Sequence, residues 1–454
     1  MAHRAALGCL AVARQLSVVV MVVSIVALVA GTAGTSYAKK SKEDRQTEDT
    51  VVVSNFGSLF AGSVETFAAG SVGNVRPLRL VRGSNTLIGA GNGASGDAQS
   101  SVDGDIVVTI PFGIPGLCPS GCVAVWPAGA NGNTAPEELI GGPACNATST
   151  PSPTLPFCSS SFLGFPILDN NTGLFLDQGV AFDNPFRLEA AAHSTASASI
   201  SIADPPDRFA VANFGEVVIG SLADAAFCGT EAVPAVTIGT ITIYNSGDTG
   251  NVFPTPSFLT LEVPFPPAAP EPFWTEASIG GCNTFLFGPI GVAFDDAGHL
   301  WVVDELAKFV TEYATGASGD AFPINIVGLT PGTFIDPAYI AVGTNPFDLS
   351  GDPVIYVSDV GDNSIKVLDV AVPFVDNLLG SIAGGHTKLK RPEGIALLGD
   401  DLYVVNNNTN SLAMFDDLVD TGLGNIRPKV LIKGKATRMN FPVGVAAPQF
   451  SPLL

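Results

Sequence analysis

Basic side chains are scarce in this chain. Its 454 residues include 21 Lys and Arg against 42 Asp and Glu, which gives a formal net charge of -21 at pH 7. Nucleic-acid binding needs Lys and Arg to neutralise phosphates, and docking on an anionic membrane needs them as well. The deficit therefore argues against both kinds of partner. The simplest interpretation of the net negative charge is that it keeps the protein soluble, and cation binding is the alternative.

Long apolar runs are confined to the N-terminus. Residues 16–31 are uncharged and mostly apolar, and a small-x-small sequence, Ser36-Tyr37-Ala38, follows them. The basic side chains before the run are His3, Arg4 and Arg14. This order is typical of a secretory signal peptide. An uncleaved membrane anchor is the alternative, although a span needs roughly 20 apolar residues.

We therefore predict a signal peptide over residues 1–38. Residues 39–50 are polar without periodicity, and we expect a flexible leader there. Residues 51–454 then form the folded part, with no membrane span once the signal is removed. The signal peptide predicts that the protein lies outside the cytoplasm, either secreted or periplasmic. We also expect it to be a monomer.

Familiar catalytic motifs are absent. No Gly-x-Ser-x-Gly elbow occurs, and no Gly-Lys-Ser/Thr follows the glycine-rich residues 89–96. The histidines after residue 38 are His193, His299 and His386. They occupy different positions relative to the predicted strands, so we expect surface or turn roles and no cluster. An enzyme is thus less expected than a binding protein.

Six cysteines follow residue 38. An even number in an exported chain favours three disulfides. Our predicted pairs each close a loop within an insertion. A zinc site is the alternative, but paired Cys-x-x-Cys spacing is missing. The predicted pairs are Cys118–Cys122, Cys145–Cys158 and Cys228–Cys282.

The most regular stretch is residues 291–327. Short runs rich in β-branched and aromatic residues at 291–294, 300–303 and 309–313 predict three strands, and 324–327 a fourth. A four-stranded meander is one propeller blade. One blade cannot bury both of its faces, so further copies are expected.

Two patterns do recur. The first is an apolar run that ends in Asn or Asp, at 51–55, 209–213, 300–304, 355–359 and 402–406, with a weaker copy at 106–109. The second is an aromatic residue followed by Gly-Asn or Gly-Asp and then Pro. Its Gly-Asn or Gly-Asp pairs are Gly73-Asn74, Gly132-Asn133, Gly250-Asn251, Gly319-Asp320 and Gly424-Asn425. Repetition of this kind indicates a propeller or another repeat fold.

These patterns predict an all-β protein with six blades. The C-terminal residues 442–446 match the first-strand pattern that blade 1 lacks, so we expect them to close that blade. Long loop insertions interrupt blades 2 and 3, at 145–176, 223–237 and 264–281. The predicted strands are 51–55, 64–68 and 78–82; 106–109, 123–126 and 138–140; 179–183, 209–213, 240–244 and 258–263; 291–294, 300–303, 309–313 and 324–327; 339–342, 355–359, 365–370 and 379–383; 394–398, 402–406, 411–415 and 429–432.

The sequence resembles the NHL-repeat β-propellers of bacterial secreted proteins. The resemblance rests on Pro-x-Gly-Val/Ile-Ala followed by Leu-Tyr/Trp-Val-x-Asp/Asn, at 291–304, 355–359 and 392–406. It extends over most of the chain after residue 50. It implies the propeller fold and says little about function.

A ring of polar residues is the candidate site. Each ends a second strand, so all should face one mouth of the propeller channel. Such oxygen ligands suit Ca²⁺, and the similar gluconolactonase and paraoxonase-like lactonases hold an ion there. The ring consists of Asn55, Asn213, Asp304, Asp359 and Asn406, with Thr109 in the remaining blade.

Asn or Asp at a strand end also bonds its own backbone and shapes the turn. Repetition in nearly every blade favours this local role over a metal site, because a site would need only a few copies. The lactonases also use a carboxylate on the innermost strands. Our predicted first strands at 179–182, 291–294, 339–342 and 394–398 contain none. The sequence thus favours a binding scaffold for protein, peptide or glycan, with a Ca²⁺-dependent hydrolase or lactonase as the alternative and a purely structural envelope component as a third hypothesis.

Overall fold

The structure is a computed structural model of the chain. It describes residues 50–448 except for internal segments at 59–60, 89–92, 100–103, 115–116, 119–120, 142–173, 175–176, 184–207, 219–235, 246, 251–277, 281–282, 346–352, 417 and 419–421. Within these described residues, none of the helices has the length and apolarity needed to cross a membrane. The predicted signal peptide, residues 1–38, and the predicted leader, residues 39–50, lie outside the described part except for Thr50, which begins the first strand.

Six four-stranded antiparallel sheets form a six-bladed β-propeller, which confirms the predicted fold class. We label the strands of each blade A to D from the channel outwards. The bounds are β1 (Thr50–Asn55), β2 (Ser63–Ala68) and β3 (Arg79–Val81) in blade 1; β4 (Asp97–Gln99), β5 (Ile106–Ile110), β6 (Cys122–Trp126) and β7 (Glu138–Ile140) in blade 2; β8 (Asp177–Asp183), β9 (Arg208–Val218), β10 (Val236–Asn245) and β11 (Ser278–Gly280) in blade 3; β12 (Pro289–Phe294), β13 (Leu300–Asp304), β14 (Phe309–Tyr313) and β15 (Asn325–Val327) in blade 4; β16 (Pro337–Thr344), β17 (Pro353–Asp359), β18 (Ser364–Asp369) and β19 (Asn377–Ile382) in blade 5; β20 (Pro392–Leu398), β21 (Asp401–Asn406), β22 (Ser411–Phe415) and β23 (Val430–Lys433) in blade 6; and β24 (Pro442–Ala446).

The last strand closes the ring. The strand β24 lies beside β1, and the order in that sheet is β24-β1-β2-β3. Val52 pairs with Ala446 and Ser54 with Gly444. The C-terminal strand is therefore the A strand of blade 1, as predicted. Because the two ends of the chain share one sheet, neither leaves an open strand edge inside the ring.

Two strands differ from the prediction. The A strand of blade 2 is β4, whose sequence Asp-Ala-Gln has no apolar or β-branched pattern that would reveal it. The D strand of blade 3 is β11, at Ser278–Gly280, and not the predicted 258–263. Residues 258–263 lie outside the described residues, as does nearly all of the three predicted insertions.

Apolar layers fill the spaces between neighbouring blades. Between blades 4 and 5, for example, Trp301 and Val303 pack with Ile355 and Val357. Equivalent layers lie between all six adjacent pairs, including the pair formed by blade 6 and blade 1. Every sheet is thus covered on both faces. This explains why strands such as β5 are apolar at consecutive positions instead of alternating.

In five of the six blades, the repeated Gly-Asn or Gly-Asp motif joins the blade to the previous one. In blade 1, Gly73 donates its N–H to Leu431 O at 2.9 Å, and its carbonyl accepts from Lys433 N at 3.0 Å. One short parallel bridge thus links blade 1 to the D strand of blade 6. Such bridges occur at five of the six seams, as Gly73–Ile432, Gly132–Val81, Gly250–Ile140, Gly319–Ile279 and Gly424–Ile382.

The residue after that glycine adds a side-chain contact. Asn74 Oδ1 accepts from Ala436 N at 2.8 Å, in the turn that follows the D strand of blade 6. Gly434 begins that turn with φ 130°, and a Cβ there would lie 2.3 Å from Asn74 Oδ1. We call the Gly-Asn or Gly-Asp pair with these contacts the latch. Asn133, Asp320 and Asn425 accept corresponding backbone N–H groups.

Blade 5 lacks the motif and replaces the latch with an aspartate. Asp376 accepts from Gly328 N at 2.5 Å and from Thr330 N at 2.6 Å, both in the loop after the D strand of blade 4. Phe374 N also donates to Asn325 Oδ1 at 2.7 Å. The seam between blades 4 and 5 is therefore held by a different set of contacts.

One predicted disulfide falls within the described residues. Cys118 and Cys122 are bonded to each other at the connection between β5 and β6. Both are fully buried in the layer between blades 1 and 2. The remaining candidates, Cys145, Cys158, Cys228 and Cys282, lie outside the described residues, so their pairing stays a prediction.

We expect Asn74→Ala to lower the unfolding free energy by about 1 kcal/mol, because a backbone N–H at the seam of the ring loses its acceptor. Asn74→Asp is the matched control, since an aspartate makes the equivalent contact in blade 4. Urea unfolding of both variants measures the difference. An equal loss in the two variants would contradict a role for the side-chain oxygen.

A buried acid lies inside blade 1. Glu65 is fully buried on β2, where Ser63 Oγ donates to it at 2.9 Å and Asn55 Nδ2 also donates to it. Burial raises the pKa of Glu65 from 4.5 to about 8, although the hydrogen bond from Ser63 and the charge of Arg82 oppose the shift. Glu65 is thus protonated in the folded protein at neutral pH.

The unfolding free energy should fall as the pH rises from about 4.5 to about 8, because the unfolded chain releases the Glu65 proton first. The slope from this one group is at most about 1.4 kcal/mol per pH unit. We therefore expect the stability of Glu65→Gln relative to the unsubstituted protein to increase across that window. Urea unfolding at several pH values tests this, with the exposed Glu137→Gln as control. Parallel pH profiles for Glu65→Gln and the unsubstituted protein would refute it.

Candidate functional site

The predicted polar ring lies where the B strands end. There the B strand turns into the C strand and the D strand returns to the next A strand, as at residues 304–309 and 328–336, and we call this the BC end of the channel. Five of the ring residues are fully buried and Asn213 is 2% exposed. The structure therefore brings the ring to one end of the propeller, inside the blades.

Backbone N–H groups donate hydrogen bonds to the two carboxylates of the ring. Asp304 Oδ2 accepts from Phe287 N at 2.6 Å and Gly288 N at 2.9 Å, and Oδ1 accepts from Ala307 N at 2.8 Å. Burial raises the pKa of Asp304, and these backbone bonds oppose the rise. Asp359 accepts in the same manner from residues 335, 336 and 361. Each carboxylate thus joins its BC turn to the segment that leads into its A strand.

The other ring members also bond to nearby groups. Their contacts are Asn406 Oδ1 with Lys390 N at 2.8 Å, Asn55 Oδ1 with Asn440 N at 2.8 Å, Thr109 Oγ1 with Gln178 O at 2.7 Å, and Asn213 Nδ2 with Thr242 Oγ1 at 3.1 Å. Asn55 and Asn406, like the two carboxylates, anchor the segment that leads into the A strand of their own blade. Thr109 bonds the A strand of the next blade, and Asn213 bonds the neighbouring C strand. Ca²⁺ binding by the ring stays a prediction.

Glycines narrow the channel. A Cβ on Gly291 would lie 2.6 Å from Ala338 O in the neighbouring A strand, and one on Gly179 would lie 2.4 Å from Ile290 O. Gly96 and Gly394 approach their neighbours equally closely. Adjacent A strands therefore touch backbone to backbone at this level, which only glycine permits. We call this level the glycine waist.

A cavity of about 790 Å³ lies on the other side of the waist. It opens at the AB end of the channel, where A strands turn into B strands, as at residues 295–299. Its wall is mainly apolar and includes Phe182, Phe294, Tyr339, Ile340, Leu397 and Val445. Its rim carries Asp295, Asp296, His299, Glu312 and Asp400. Concave apolar sites with a few polar groups are typical ligand sites.

A histidine joins two carboxylates on that rim. His299 Nδ1 lies 3.3 Å from Asp295 Oδ2 and 2.8 Å from Glu312 Oε1. We call Asp295, His299 and Glu312 the rim cluster. Among the described residues, it is the one group of three such side chains whose spacing could hold a metal ion. This corrects the expectation that no histidine belongs to a cluster.

Local structure positions the rim cluster. Asp295 begins the AB turn of blade 4, and its Oδ1 accepts from Ala297 N at 2.8 Å and His299 N at 2.9 Å. Trp301 Nε1 donates to Asp295 Oδ2 at 3.0 Å. Glu312 pairs with Trp301 in the strand register, which places it beside the end of the turn. The sequence conceals this proximity because Glu312 belongs to the next strand.

Electrostatics at the cluster are dominated by burial. Burial raises the pKa of Glu312, the nearby His299 opposes the rise, and the charge of Asp295 adds to it. The Asp295 side chain is 8% exposed and that of His299 is 32% exposed. The cluster thus holds two acids close together, and all three of its residues line the cavity.

The BC end carries a separate set of charges. The strand β20 begins at Pro392, so Glu393 belongs to an A strand, which corrects the expectation that the first strands contain no carboxylate. Arg391 Nε donates to Glu393 Oε1 at 2.7 Å, and Lys308 Nζ lies 2.8 Å from Asp336 Oδ1. Burial raises the pKa of Glu393 and the bond from Arg391 opposes this. Glu305 adds a third acid near these two pairs, and burial and the charge of Asp336 raise its pKa.

Comparison with known proteins found similarity to solved structures. No family model and no curated protein matches the chain, so membership of the NHL-repeat family stays a prediction. Similar structures include a nidogen/laminin complex (11% identity, TM-score 0.45), a putative 6-phosphogluconolactonase from Bacteroides fragilis (13%, 0.44) and a periplasmic gluconolactonase from Pseudomonas aeruginosa (14%, 0.42). Each match covers 88% of this chain and 98% of the other. Similarity at this level leaves the function to be argued from the residues of this chain.

We expect Asp304→Ala to lower the unfolding free energy by about 3 kcal/mol, because three backbone N–H groups lose a buried acceptor. Asp304→Asn should lose less, since its Oδ1 can still accept. Thermal unfolding in EDTA and in millimolar Ca²⁺ measures both effects. We expect the same losses in both buffers. A Ca²⁺-dependent rise in melting temperature that Asp304→Ala and Asp359→Ala abolish would instead place an ion at the ring.

Proposed function

We propose that the chain is a binding propeller that holds a peptide segment of a protein partner at the AB end of its channel. The observation that carries the proposal is an exposed apolar surface that runs into an acidic cavity. We call this surface the apolar ridge. It consists of Phe322, Ile324, Val372, Phe374 and Val375, with exposures between 40% and 61%.

Part of the ridge reaches the mouth of the cavity. Its residues lie on the loops between the C and D strands of blades 4 and 5, and the Phe322 ring packs against Phe285 in the loop between β11 and β12. Ile324 belongs to the ridge and also lines the cavity, as do Ala371 and Pro373 beside Val372. Exposed apolar residues beside a cavity are typical of binding sites.

The ridge is held in place before any partner arrives. The bond from Phe374 N to Asn325 Oδ1 joins the loop of blade 5 to strand β15 of blade 4, and Asp376 bonds the loop after β15. A surface that is already ordered loses little conformational entropy on binding. The ridge is therefore suited to an apolar peptide segment.

The charge of the rim selects the partner. Asp296 and Asp400 are exposed there, and the described residues that line the cavity include neither Lys nor Arg. A cationic side chain beside apolar residues complements such a surface in charge and polarity. We therefore favour a basic, partly apolar peptide over a glycan.

Hydrolysis of a lactone or ester is the second candidate function. The observation that favours it is His299, which lies with two carboxylates on the rim of the cavity and could transfer a proton. A screen of lactone and ester substrates, with and without EDTA, distinguishes this function from binding alone. Turnover that His299→Ala abolishes would place catalysis at the rim.

Phage-displayed random peptides selected on residues 39–454 test the binding proposal. We expect selected peptides to contain Lys or Arg beside apolar residues. In fluorescence polarisation with one synthetic selected peptide, Val372→Ser/Val375→Ser should weaken binding about tenfold, since removing two apolar contacts costs at least about 1.4 kcal/mol. Asp296→Asn/Asp400→Asn should weaken binding and reduce its dependence on salt.

The matched control is Val72→Ser/Leu78→Ser. These two residues are exposed at 61% and 59% on the corresponding loop of blade 1, away from the cavity lining. We expect the control to bind normally. Equal losses in the control and the ridge variant, or selected peptides that are acidic, would overturn the proposal. A glycan array hit that the ridge variants abolish would identify the other class of partner and overturn the peptide assignment.

A further inference from the structure

The rim cluster offers three donor atoms of the kinds that divalent metal ions bind. The atoms are one imidazole nitrogen and two carboxylate oxygens, and they lie within 4.8 Å of one another. Zinc binds such ligands at about 2.0–2.2 Å, so two ligands of a tetrahedral ion lie roughly 3.3 Å apart. His299 Nδ1 lies 3.3 Å from Asp295 Oδ2 and 2.8 Å from Glu312 Oε1, which is close to that spacing.

Neighbouring groups already fix the orientation of Asp295. Two backbone N–H groups of the AB turn bond its Oδ1, and the fully buried Trp301 bonds its Oδ2. Hydrogen bonds of this kind orient metal-binding carboxylates in proteins. Strand pairing between β13 and β14 sets the position of Glu312 in turn. The cluster needs no large movement to surround an ion.

The cavity supplies access and an open position. All three residues line it, so a fourth position would face the cavity and could take water or a ligand atom. Metal sites with three protein ligands and one open position are typical of reactive rather than purely structural zinc centres. The acidic rim would also attract a cation electrostatically.

We propose that Asp295, His299 and Glu312 bind one divalent transition-metal ion, with Zn²⁺ as the expected species. The imidazole favours Zn²⁺ and its neighbours in the first row over Ca²⁺ and Mg²⁺, which prefer oxygen ligands. This site is separate from the polar ring at the BC end. It also stands independently of the peptide proposal, whose rim residues Asp296 and Asp400 are not ligands.

An ion pair is the rival explanation. A protonated His299 could lie between the two carboxylates and hold them together without any metal. The two explanations differ in whether the purified chain binds an ion in a fixed ratio and whether that binding needs His299.

Titration calorimetry on residues 39–454, stripped of metal with a chelator beforehand, decides between the two explanations. We expect one Zn²⁺ per chain, and weaker or undetectable binding of Ca²⁺ and Mg²⁺. His299→Ala and Glu312→Gln should each weaken Zn²⁺ binding at least about tenfold, the smallest loss usual even for outer groups. Titration with Co²⁺ should give visible absorption bands that the same variants lose.

His386→Ala is the matched control, because His386 is an exposed histidine in the loop after blade 5 and outside the rim cluster. It should bind Zn²⁺ normally. Far-ultraviolet circular dichroism checks that each variant is folded. If His299→Ala does not fold, Glu312→Gln still tests whether the cluster binds Zn²⁺. Absence of stoichiometric Zn²⁺ binding, or equal binding by both cluster variants and the control, would overturn the proposal and leave the ion pair.

Discussion

The structure depends on covering both faces of every sheet. Each blade is too thin to bury its own apolar side chains, so it is stable only between two neighbours. A closed ring gives all six blades two neighbours each. Phe67 and Met414 belong to the layer between the last blade and the first, and β24 completes the sheet on which that layer rests. The layer that closes the ring is therefore part of the hydrophobic core.

Closure also explains the repeated polar residues. The latch aligns the outer edges of neighbouring blades, and buried side chains such as Asp304 anchor the A strands at the BC end. Both sets recur because neighbouring blades meet in nearly the same way, and in blade 5 Asp376 takes the place of the latch. Residues that carry function in a repeat protein should instead break the repetition. His299 and Asp400 do so, since they lie in AB turns that differ between blades.

The same crowding divides the channel into two unlike ends. At the glycine waist the A strands meet backbone to backbone, and the cavity lies on the AB side of it. At the BC end, Arg391 pairs with Glu393 and Lys308 with Asp336, beside the further acid Glu305. At the AB end, the described residues that line the cavity include acids and one imidazole but neither Lys nor Arg. The two ends therefore differ in whether basic side chains accompany the acids.

The sequence by itself determined the blades, because their signals are local: apolar runs, turns and a repeated motif. It predicted even the closing role of β24, since Pro442–Ala446 matches a first strand that blade 1 lacks. It did not reveal β4, whose three residues carry no pattern, nor the place of Glu393 on an A strand. The rim cluster was decided by tertiary structure alone. Thirteen positions separate His299 from Glu312, and only the pairing of β13 with β14 brings their side chains together.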